Sequence, residues 1–189
     1  MKKQSRFILP LAVAVLVVQP LAATTMIQMD LADLTDRASR IFRGTVVDVE
    51  QGSIEVGGGE LPAVTYKLRV DDLFKGEADL VKGDSAVIEV RMVGSIKVGV
   101  PVADVQHLSV FYDVPRLDMG SDYVLFVTPE SAVGLSTTVG LGQGAFSVFS
   151  RDKEDFAVNA FNNVGLGLGA SGPVTYSELA AKILALLGR

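Results

Sequence analysis

The chain reads as a mainly β protein: a small antiparallel barrel of five to six strands, with a short N-terminal helix and an amphipathic C-terminal helix. Three observations predict this. Short runs rich in β-branched residues recur at residues 41–50, 64–71 and 86–93, two of them alternating with period two. Gly44 stands inside the first run, where a kink lets one strand serve both sides of a small closed sheet. Residues 176–187 carry Leu179, Ile183 and Leu186 as an apolar stripe, behind Thr175 and Glu178 spaced as a capping box.

Taken in order, residues 30–40 form a short helix. Leu31, Leu34 and Ala38 fall three and four apart, and Asp30 is placed to cap the first turn. Residues 41–50 (IFRGTVVDVE) are the first strand, apolar on both faces. Residues 51–62, with Gly57-Gly58-Gly59, read as a flexible loop. In residues 64–71, Val64, Tyr66, Leu68 and Val70 alternate with Thr65, Lys67, Arg69 and Asp71, so one face is core and the other solvated. Leu73-Phe74-Lys75-Gly76 reads as a turn, and residues 86–93 as the next strand.

The segment 94–118 shows little periodicity apart from a short strand at 108–112, and it is expected to be an extra hairpin over a barrel end. A turn at 118–121 leads into YVLFVT (123–128), apolar enough for a strand buried on both sides. Residues 145–150 and 156–161 make a final antiparallel pair, joined by the charged run Arg151-Asp152-Lys153-Glu154-Asp155. Residues 162–173 read as a glycine-rich linker to the last helix, with Gly188 suited to its C-terminal cap. The kinked first strand fits a partly closed barrel of the oligonucleotide/oligosaccharide-binding (OB) type.

The first 23 residues belong outside this fold. Lys2, Lys3 and Arg6 precede an apolar run at 7–18, broken by Gln19-Pro20 and followed by Ala22 and Ala23. This is the layout of a secretory signal peptide, with cleavage expected between Ala23 and Thr24. The apolar run would span roughly 18 Å as a helix, against ~30 Å for a hydrocarbon core, so a stable membrane anchor is not expected. The mature chain, 24–189, is read as a single secreted or periplasmic domain.

Composition narrows the function classes. There is no cysteine, which excludes disulfide staples, thiol catalysis, cysteine-ligated zinc, iron–sulfur clusters and a cysteine-linked lipid. Removing the three basic residues of the leader takes the net charge from −5 to −8, an unsuitable balance for nucleic acid or an anionic membrane surface.

Motifs with chemistry are few. His107 is the one histidine; Asp104, His107 and Ser109 suggest a triad by proximity, yet Asp104 and His107 would point apart on an extended segment. Asp118, Ser121 and Asp122 offer oxygens for Ca²⁺ but lack the spacing of an EF-hand loop. Gly140, Gly142 and Gly144 precede a strand, the reverse of a dinucleotide loop, while Gly165, Gly167, Gly169 and Gly172 precede a helix without a surrounding βαβ pattern. Both glycine runs read as turns. No catalytic, cofactor or metal residues are assigned.

Several segments together resemble a family of uncharacterised bacterial exported proteins. They are Ala38-Ser39-Arg40-Ile41-Phe42-Arg43-Gly44-Thr45-Val46-Val47, Thr65-Tyr66-Lys67-Leu68-Arg69-Val70 with Phe74-Lys75-Gly76, Tyr123-Val124-Leu125-Phe126, and Gly140-Leu141-Gly142-Gln143-Gly144-Ala145-Phe146. More distantly, the first half resembles the N-terminal domain of tissue inhibitors of metalloproteinases, a barrel whose strands end in a similar Phe-Lys-Gly turn. In that family an N-terminal cysteine chelates the protease zinc through its amine and carbonyl. This chain has neither that cysteine nor disulfides; Thr24, as mature N-terminus, would present the amine and carbonyl.

The expectation is a non-enzymatic exported domain that binds another extracytoplasmic protein, with a metalloprotease implied by the resemblance alone. Thr24, Phe111 and Tyr112 are the expected contact residues, because exposed aromatics anchor interfaces. The alternatives are a structural envelope component without a specific small-molecule ligand, and a hydrolase using His107.

Overall fold

A computed structural model of the chain describes residues 27–80, 86–94, 114–169 and 171–189. Two helices and eight strands follow in the order α1 (Leu31–Arg37), β1 (Arg40–Val56), β2 (Gly59–Lys75), β3 (Asp79–Leu80), β4 (Ala86–Val93), β5 (Asp122–Val127), β6 (Ala145–Arg151), β7 (Glu154–Asn159), β8 (Val174–Thr175) and α2 (Tyr176–Leu186). The strands form one antiparallel sheet in the order β3-β4-β2-β1-β5-β6-β7-β8.

The mainly β class with a helix at each end is therefore what folds, but the sheet is open, and it has eight strands among the described residues where a partly closed barrel of five to six was expected. It coils without closing. The register between β1 and β2 shifts at Ile41/Phe42, Arg43/Gly44 and Val46/Asp48, and bulges of this kind bend a strand and increase its twist. A Cβ at Gly44 would lie 2.6 Å from the Arg69 carbonyl oxygen, so the close approach of β1 to β2 requires glycine there. The coil brings β4 to the segment after β5, where the Ser136 amide donates to the Arg91 carbonyl at 2.8 Å. That segment makes only an isolated bridge, Thr138 with Val127, so no ladder of strand pairs seals the gap.

The coil leaves two cores, one on each face of the sheet. Inside the curve, Phe42, Val46, Tyr66, Leu68, Ile88, Val90 and Leu125 pack together. On the outer face, Ile41, Phe126, Phe146 and Ala157 are covered by Leu31 and Leu34 of α1 and by Leu179 and Ile183 of α2. β5 lies between the cores. Val124 and Phe126 face the helices, while Tyr123, Leu125 and Val127 face the interior of the curve, which is why the strand carries almost no polar side chain.

Both helices begin at their expected caps: Asp30 accepts from the Asp33 amide at 2.8 Å and Thr175 from the Glu178 amide at 3.2 Å. α1 ends at Arg37 and the chain is extended by Ala38. In α2, Leu186 of the expected stripe is 47% exposed, and Leu187, four residues beyond Ile183, packs on the core in its place.

Three segments read as loops are ordered otherwise. Residues 51–62 extend the β1–β2 hairpin, turning only at Gly57 and Gly58, whose φ values of 62° and 81° suit a two-residue turn that matches strand twist. Leu73, Phe74 and Lys75 continue β2, with Phe74 buried under the helices. Residues 162–169 pack as a loop: Leu166 and Leu168 enter the core, and Asn163 Nδ2 donates to the carbonyls of Ala157 and Gly172 at 3.0 and 2.8 Å. The strand expected at 108–112 lies outside the described residues.

Candidate partner-binding surface

The expected contact residues Thr24, Phe111 and Tyr112, the cleavage residue Ala23, and Asp104, His107 and Ser109 lie outside the described residues. The other candidates have structural surroundings. Asp122 does not join Asp118 and Ser121 in a cation site; its carboxylate accepts from Thr45 Oγ1 at 2.7 Å and from Arg43 at 3.2 Å. Among the described residues, no group of three or more His, Asp or Glu side chains is placed to hold a metal ion.

The glycine run at 140–144 folds as a 3₁₀ turn, Leu141–Gly144. A Cβ at Gly144 would stand 2.4 Å from the Val139 carbonyl oxygen, so the turn packs backbone against backbone. This aims Gln143 at the segment before α1. The Gln143 amide accepts from the Met29 amide and donates to the Ile27 carbonyl, both at 2.9 Å, as a neighbouring strand would. The Leu31 amide then donates to the Leu166 carbonyl at 3.2 Å. Asn159 Nδ2 secures the turn from below by donating to the Gln143 carbonyl at 3.0 Å. The main chain of residues 27–31 is thus held on the loops by the Gln143 side chain and the Leu166 carbonyl.

Arg43 organises a second polar cluster at the margin of the outer core. It bonds Asp155 at 2.8 Å and Asp122 at 3.2 Å, and its guanidinium lies 4.4 Å from the centre of the Tyr176 ring. Burial works against the Arg43 charge, but the two carboxylates outweigh it and raise its pKa. The Ser150 hydroxyl and then Arg43 hold the Asp155 carboxyl below its usual range. Desolvation first, then the Asp72 carboxylate bonded to its hydroxyl, pushes Tyr176 up. Each charge here has an internal partner, so the cluster ties α2 to the sheet.

The arm of the β1–β2 hairpin is different. β4 pairs with β2 only from Ala63 onward, and β5 pairs with β1 only as far as Thr45, followed by bonds of Val46 with Gly120 and Ser121. Residues 52–61 therefore run as a two-stranded ribbon that no third strand pairs among the described residues. Ile54 opposes Leu61 on one face, beside Val56, which is 43% exposed. Glu55 opposes Glu60 directly on the other face. Nearer the sheet, Lys67 bonds Asp48 at 2.9 Å and Glu50 at 2.6 Å. Those bonds, Glu50 first, raise the Lys67 pKa, and Lys67 lowers that of Asp48.

Sequence reading missed this surface because its glycines signalled flexibility. The paired register of Ile54 with Leu61 around a Gly-Gly turn was the signal available.

No family model matches the chain, and no curated protein does.

Proposed function

We propose that this chain is an exported, non-enzymatic protein-binding domain that engages another extracytoplasmic protein through the β1–β2 arm. The observation that carries the reading is the arm itself. A two-stranded ribbon is marginal in water unless a further strand or partner covers it. This one keeps Ile54, Leu61 and Val56 on one face and carboxylates on the other, beyond the last residues that pair with β4 and β5. Apolar side chains on such a ribbon gain most when a partner buries them, about 25 cal/mol per Å² removed from water.

A metalloprotease is the proposed partner class, on the resemblance to tissue inhibitors of metalloproteinases. The Gln143 clamp supports a role for the N-terminal side, since it holds Ile27 and Met29 in a defined position close after Thr24, the proposed mature N-terminus.

The test is affinity capture with mature chain 24–189 as bait, beside an Ile54→Asp/Val56→Asp variant shown to unfold like the parent. Recovery of a stoichiometric protein complex by the parent and not by the variant is expected, with a zinc endopeptidase in it. Equal recovery by both removes the arm from the interface. Recovery of envelope polymers or nothing puts a structural envelope role ahead.

A further inference from the structure

We propose that Met29 is a modification site: a hydroperoxide oxidises its thioether to the sulfoxide, and the sulfoxide releases residues 27–31 from the loops that hold them. The β1–β2 arm plays no part in it. With no cysteine in the chain, methionine sulfur is the side-chain atom most open to such an oxidant. Three methionines stand among the described residues, in three different settings. Met92 is 1% exposed in the inner core, out of reach of solvent. Met119 is 61% exposed in a turn and belongs to neither core, so an added oxygen there disturbs little. Met29 is partly buried and packs against the outer core, so it is both reachable and structural.

Met29 also sits at the centre of the clamp. Its amide donates to the Gln143 side chain, which in turn donates to the Ile27 carbonyl, each at 2.9 Å. Its sulfur packs against the backbone of the 140–144 turn: a Cβ at Gly140 would come within 3.2 Å of it. On its other side, Gln28 lies so close to Gly165 that a Cβ there would overlap the Gln28 amide. Backbone this near leaves no room for an oxygen on the Gly140 side of the sulfur. The sulfoxide is polar and unpaired there, so the side chain must turn out to water. Residues 27–31 then keep their hydrogen bonds but lose the packing that excludes water from them. The step balances. The sulfur lone pair attacks one peroxide oxygen, an S–O bond forms and the O–O bond breaks. The proton of the attacked oxygen passes to the other, which leaves as water; sulfur is oxidised and the peroxide reduced.

The experiment treats mature chain 24–189 with hydrogen peroxide, locates sulfoxide by peptide mass spectrometry, and follows hydrogen exchange at the Met29 and Leu31 amides. Met119 should react first, Met29 next, and Met92 only on unfolding. Once Met29 carries oxygen, exchange at its own and the Leu31 amide should quicken about tenfold or more, while β5 keeps its protection. Methionine sulfoxide reductase should restore the slow exchange. Met29→Leu keeps the packing and should show no quickening with peroxide. Met29→Gln, a polar stand-in for the sulfoxide, should quicken exchange without any oxidant. Sulfoxide at Met29 with unchanged exchange, equal quickening in Met29→Leu, or a Met29 that reacts only when β5 also loses protection overturns the proposal.

Discussion

At Arg43 a single side chain joins four elements: β1 that carries it, β5 and β7 through the carboxylates of Asp122 and Asp155, and α2 through the Tyr176 ring. Asp155→Asn should cost about 1 kcal/mol at neutral pH, read from denaturant midpoints. The pH dependence has a definite sign. The folded Asp155 pKa is lowered, so its stabilisation is present above the ordinary carboxylate range and is lost as pH falls through that range toward the folded value. The gap between Asp155→Asn and the parent should therefore close on acidification. Tyr176→Phe keeps the ring beside Arg43 but removes the hydroxyl bonded to Asp72, again a loss of about 1 kcal/mol. None of these partners is adjacent in sequence. The charges on 151–155 were legible as a hydrophilic hairpin, but the meeting of Arg43 with Asp155 was not.

At the scale of elements, the hairpins show where local rules reach. Asp152 and Lys153, with φ of 53° and 69°, make the β6–β7 turn inside a run readable only as charged. Gly44 was legible as a kink because glycine within a β-branched run has few other uses. Gly44→Ala would force its Cβ against the Arg69 carbonyl, a backbone atom with little room to yield, and should cost about 2 kcal/mol in a thermal or urea titration. Gly58→Val has a different consequence. It strains a residue at φ 81° with open space around it, so hydrogen exchange should quicken near the arm tip while the global midpoint moves little. The strip from Leu73 to Lys75 shows the limit of such rules: a phenylalanine before Lys-Gly signals a turn, yet Phe74 is drawn into the outer core and keeps the strand running.

Over the whole molecule, the two cores depend on the same strands, and α2 covers the outer one. A chain ending at residue 173 would lack Val174, Leu179 and Ile183, all buried against that face. Each buried side chain of this size contributes roughly 2 kcal/mol, so the truncated chain should lose cooperative thermal unfolding and bind a hydrophobic dye. A retained sharp transition would show that α2 is peripheral.

By itself the sequence determined the mainly β class, both helix caps, the doubly buried β5, and the exclusion of all cysteine chemistry. Each follows from a residue type or from spacing within one segment. Only the tertiary structure decided that the sheet stays open, that the glycine-rich loops clamp residues 27–31, and that the β1–β2 arm runs beyond its pairing with β4 and β5 to an acidic tip. Those features depend on which strand edges find partners, and pairing between distant segments is set by how a coiled sheet meets itself in space.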